Sequence, residues 1–72
     1  MSDHVYSISE IVGSSTESVD DAIRKAVRSA ASTKRKVEWF TTEEVRGHVA
    51  DGEVAHFQVT VKVGFRLDES QP

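Results

Sequence analysis

The sequence predicts an α+β fold: a β-α-β-β unit with one helix on one side of a three-stranded antiparallel sheet of order 1-3-2. Three observations lead there. Residues 19–30 repeat apolar side chains at helical spacing, residues 53–67 alternate them at strand spacing, and Asp51-Gly52 between two strand-like runs signals a two-residue hairpin. The 72 residues read as one domain, 1–72, because no repeat, low-complexity tract or internal proline divides them. The single proline is Pro72, and residues 68–72 read as a frayed tail.

The first strand is expected over His4–Val12, HVYSISEIV, which carries β-branched and aromatic residues; the run from Gly13 to Thr16 reads as the turn that ends it. Val19, Ala22, Ile23, Ala26, Val27 and Ala30 then place one apolar stripe on a helix. Ser18 is its expected N-cap, with Asp20 and Asp21 in the first turn and Lys34, Arg35 and Lys36 just past the last, matching the helix dipole at both ends. Ser14 with Glu17 offers a rival capping box. Alanine takes half of the stripe, which lets the helix axis approach a sheet closely. Val37–Val49 is the second strand and Glu53–Leu67 the third, with Ala55, Phe57, Val59, Val61, Val63, Phe65 and Leu67 as a continuous apolar face for the helix. The helix returns the chain, so strands 1 and 2 run the same way and strand 3 runs against both. Placing strand 3 in the centre makes both pairings antiparallel.

A chain this short buries only about 60% of the surface its unfolded form exposes, so its own core is marginal. Without cysteine it has neither disulfides nor thiolate metal sites, and self-association is the expected remedy. Cysteine absence fits a reducing compartment, and no apolar run of signal or spanning length is present, so the sequence reads as cytoplasmic with no membrane partner. Twelve acids against nine bases disfavour nucleic-acid binding; Lys34–Lys36, the local basic patch, reads as a solvated helix end. Neither a Ser, His and acid arrangement nor a glycine-rich phosphate loop is legible, and the expectation is no enzyme. No metal is expected either: His4, His48 and His56 lack helical ligand spacing, and the expected register puts His48 and His56 on opposite faces.

That register follows from a type I′ hairpin, which pairs Ala50 with Glu53, Trp39 with Gly64 and Val45 with Gln58. Trp39, Thr41, Glu43 and Val45 then share a face with Gln58, Thr60, Lys62 and Gly64, away from the helix. A residue without a side chain beside an indole leaves room for another planar group on the ring. Trp39 is read either as filler of a subunit interface or as a stacking platform for a ligand. Gln58, on the same face, both donates and accepts, which suits a heterocycle edge of alternating carbonyls and ring nitrogens, or else is merely solvated. Arg46 and Arg66 either grip a phosphate or carboxylate in bidentate fashion or pair with Glu10, Glu43, Glu44 or Asp68.

HVYSISEIVGSS, VDDAI, EWF, VRGHV and AHFQVTVKVGFRLDES, in this order and spacing, resemble the dodecins, small flavin-binding proteins that assemble as hollow homododecamers. The resemblance covers nearly the whole chain. It implies a flavoprotein without turnover that stores FMN or riboflavin, FAD being also admitted, and quenches its photochemistry. In that family paired tryptophans at the Trp39 position sandwich two isoalloxazine rings at a two-fold contact, the glutamine at the Gln58 position bonds the polar ring edge, and arginines matching Arg46 and Arg66 line the region. Some bacterial members are associated with coenzyme A, which implies His4, Val5, Tyr6, Thr33, Lys34 and Arg35 as its positions here. Ser29, Ser32 and Lys34 depart from the common pattern there. The alternative functions are a coenzyme A-binding scaffold and a flavin-dependent redox partner.

Overall fold

The computed structural model describes residues 3–33 and 36–67. In chain order these form β1 (Val5–Ser15), α1 (Val19–Ala31), β2 (Val37–Ala50) and β3 (Glu53–Leu67). The sheet order is β1-β3-β2 with both pairings antiparallel, as the chain direction requires. Lys34, Arg35 and the expected tail at 68–72 lie outside the described residues.

Helix α1 begins where its cap dictates. The Ser18 hydroxyl accepts from the Asp21 N–H at 3.0 Å, and the rival box from Ser14 to Glu17 does not form. Its place is taken by Ser15, whose buried hydroxyl accepts from the Glu17 and Ser18 amides at 2.9 and 3.2 Å and donates to the Asp21 carboxylate at 2.7 Å. Ala22, Ala26 and Ala30 are buried against Val59, Val61, Val63 and Phe65, with Ile11, Val19, Ile23, Val27 and Val37 packed at the margin.

Strand β1 runs three residues further than expected, through Gly13 and Ser14 to Ser15. Gly13 is no turn residue here. A Cβ on it would meet the Ala22 carbonyl oxygen and lie 3.0 Å from the Ala26 Cβ, so its bare backbone lets the strand pass directly under the helix. At the hairpin Asp51 (φ 54°) and Gly52 (φ 77°) form the expected turn of positive φ, with Ala50 opposite Glu53.

The expected register holds at the turn and again at Trp39 opposite Gly64, but not between. Irregularities at His48/Val49 and at Thr42/Glu44 shift the intervening pairs by one residue, so that Arg46, not Val45, faces Gln58, and Val45 faces Val59. A one-residue slip exchanges the faces, and Val45 therefore lies on the helix side. It also brings His48 directly opposite His56, on one face, where the unshifted register had separated them.

The apolar face of β3 is covered only from Val59 to Phe65; Ala55 and Leu67 are exposed. Length is the reason. A 13-residue helix spans about 20 Å and a 15-residue strand about 50 Å, so the hairpin outruns the helix. The molecule is 54 Å long with a radius of gyration of 15.0 Å, against about 11 Å for a compact chain of this length. Val45, Val49 and Val54 stand exposed on the uncovered part of the hairpin.

Candidate functional site

Side chains of β3 that alternate with the buried valines point away from α1, and their partners across the ladders share that face. On it lie Trp39 and Ile8 either side of Gly64, Tyr6 beside Arg66, Thr41 and Glu10 beside Lys62, and Arg46 and Ser14 beside Gln58. Among the described residues, no further element packs over this face.

Trp39 uses the missing side chain of Gly64 itself. A Cβ on Gly64 would fall on the indole atoms Cε2 and Cζ2 and stand 2.8 Å from Cδ2, so the ring lies across the central strand with one side against the backbone. The expectation that Gly64 frees space for a further planar group becomes a sharper arrangement: the glycine seats the indole, and the opposite side of the indole is open. Trp39 retains 39% exposure, high for the largest aromatic beside a buried glycine.

Tyr6 steadies the indole from the edge. Its ring meets Trp39 at 60° with centroids 6.3 Å apart, and its hydroxyl donates to Glu38 at 3.2 Å. Glu38 also pairs with Arg66 at 3.8 Å, and the Arg66 N–H donates to the Lys36 carbonyl at 3.0 Å. Desolvation, then the hydrogen bond to Glu38, pushes the Tyr6 phenol above its ordinary range. Neither Tyr6 nor Glu38 was singled out for Trp39 from sequence. Strand alternation on β1 together with its pairing to β3 is the signal that finds Tyr6.

Among the four expected flavin residues, Trp39 and Arg66 come together at one end of the face and Arg46 and Gln58 at the other. The two ends are separated by six residues of β3, about 20 Å. Within one chain the four residues therefore do not gather at one point. The intervening stretch holds Lys62 with Glu43 at 3.8 Å, an exposed pair of little energetic weight. Of the expected coenzyme A positions, Lys34 and Arg35 lie outside the described residues, and Thr33 donates to the Ala30 carbonyl at the helix end while Tyr6 stands on the sheet face turned from the helix. Thr33 lines a hollow of about 510 Å³ with Ser9, Lys25 and Ser29.

Fold and face together define a small strand-rich unit with an aromatic residue on the sheet face turned from its helix. The chain belongs to the dodecins: the Dodecin family model matches residues 5–68. A curated dodecin from Thermus thermophilus is 41% identical over 66 residues, covering 92% of this chain and 96% of its own. The solved dodecin from Streptomyces davaonensis is 52% identical with a TM-score of 0.87, covering 93% of this chain and 98% of that one. A more distant neighbour, at 26% identity and a TM-score of 0.77 over 94% of this chain and 97% of its own, is a calcium dodecin of Mycobacterium tuberculosis with a calcium-binding site. These neighbours accord with an oligomeric assembly. Among the described residues, no helix is long and apolar enough to cross a membrane, and no group of three or more His, Cys, Asp or Glu could hold a metal ion.

Proposed function

We propose that the protein is a flavin-binding homo-oligomer, built as a hollow dodecamer, that stores FMN or riboflavin and quenches its photochemistry without turnover. The observation that carries this reading is the open side of the Trp39 indole, seated on Gly64, with Gln58 about 20 Å away along β3. A second chain laid across the face in two-fold fashion offers its own Gln58 to Trp39 and receives the same in return, as an isologous contact demands.

The residues present fit an isoalloxazine. The face that would receive it is flat and apolar at Trp39, Tyr6 and Ile8, and Gln58 supplies a donor and an acceptor for the polar ring edge. When bound, the flavin supplies a planar acceptor whose excited state takes an electron from a stacked donor. Trp39 would be that donor, with Tyr6 against the edge of its ring, and the guanidinium groups of Arg46 and Arg66 on the same face would suit a phosphate tail. Stacking with a few hydrogen bonds is reversible, as storage requires. A ring enclosed between an indole and a second ring has no free side for substrate, which sets this reading above a redox enzyme.

Titrating FMN with the protein is expected to quench flavin fluorescence, and Trp39→Ala to abolish the quenching. Strong quenching that survives Trp39→Ala overturns the stacking arrangement.

A further inference from the structure

We propose that His48 and His56 form a two-imidazole site for a borderline divalent transition-metal ion of the Zn²⁺, Ni²⁺ or Cu²⁺ type. The irregularity at His48/Val49 makes the two residues direct cross-strand partners near the hairpin end, with ring centroids 5.4 Å apart and planes within 16° of parallel. The spacing suits a shared metal. With metal–nitrogen bonds of about 2.0–2.1 Å, two imidazoles on one tetrahedral centre have centroids about 5 Å apart. Rotation about the side-chain torsions turns the stacked rings until one nitrogen of each aims at a common point. His48 is exposed and His56 half-buried, so the rotation meets little resistance.

Neither imidazole carries a hydrogen bond or ion pair to another residue among those described; their recorded contact is with each other. Water completes the coordination, since no third His, Cys, Asp or Glu joins them. Arg46 lies one pair along the same face, Glu44 lies beyond it, and Lys25, tied to Asp21 at 3.0 Å, lines the hollow that contains His56. The positive neighbours weigh against hard cations, which bind through charge and oxygen ligands, and less against ions held by nitrogen donation. The pair lies about 27 Å along β3 from Gly64 but only two residues, about 7 Å, from Gln58, so it borders the Gln58 end of the flavin reading, and its test reads metal binding without flavin.

The test is a Cu²⁺ titration of the chain without an affinity tag, followed by electron paramagnetic resonance. One Cu²⁺ per chain is expected, with hyperfine structure from two imidazole nitrogens. His48→Gln and His56→Gln should each lower the affinity by more than the roughly 10–100-fold that loss of an outer-shell partner costs, while His4→Gln leaves it unchanged. Binding should also weaken in acid, because protons compete for both ligands. Zn²⁺ in large excess over Cu²⁺ should diminish the two-nitrogen signal of the wild-type protein, a readout independent of whether the variants fold. A one-nitrogen signal, affinity retained in His48→Gln, or loss in His4→Gln overturns the proposal.

Discussion

Replacing Gly64 by alanine puts a methyl group where the Trp39 indole now lies. The new Cβ would stand 2.8 Å from Cδ2 and closer still to Cε2 and Cζ2, whereas carbon atoms rest at about 3.5–4.0 Å, so the ring must withdraw by about 1 Å or more. The indole is free on its outer side and swings outward, so the cost falls on its torsions and its contact with Tyr6. An off-rotamer side chain costs about 0.5–1.5 kcal/mol, and a strained aromatic pair forfeits part of a similar sum. We expect about 1–2 kcal/mol, which lowers FMN affinity by about 5–30-fold if the displaced indole no longer presents its open side. The assay is a quenching titration of FMN, read together with the emission of Trp39, the chain's single tryptophan, which should shift as the ring leaves its seat. Wild-type affinity and wild-type emission in Gly64→Ala would refute the placement of the indole on Gly64.

Gly13→Ala should behave differently, because its Cβ meets the Ala22 backbone carbonyl, which cannot swing away. Calorimetry should find a loss of about 1–3 kcal/mol in stability with unchanged Trp39 emission. Ser15→Ala strands two amides and frees Asp21, costing about 1–3 kcal/mol at neutral pH by denaturant titration. The Ser15 hydrogen bond, then that from Lys25, holds the Asp21 carboxyl below its ordinary 3.8. A depressed carboxyl stabilises the fold above its unfolded value and loses that contribution as pH falls through its folded one. The difference between Ser15→Ala and wild type should therefore narrow below that value. Glu38→Gln should lower the titration of Tyr6, the single tyrosine, by removing the negative charge that opposes the phenolate, as followed by phenolate absorbance.

Much of the fold was legible because short-range periodicities carry it. The helix stripe, its Ser18 cap and the Asp51-Gly52 turn all stand where the spacing put them. The end of β1 was misread, since Gly13 resembles a breaker until the helix that passes over it is known. The residues proposed for the site could be named from sequence, but not which of them stand together. Trp39 opposite Gly64 survived the irregularities, but Gln58 acquired Arg46 in place of Val45, and the two histidines moved from opposite faces to one.

By itself, then, the sequence determined the elements, their order and the presence of a face turned from the helix, because strand and helix periods are local properties of side-chain pattern. Only the tertiary structure decided which residues meet on that face. Register past an irregularity is set by how two long strands settle against a short helix, and no pattern within either strand records it. The same mismatch of lengths, about 20 Å of helix under about 50 Å of strand, leaves the end of the hairpin uncovered by the helix.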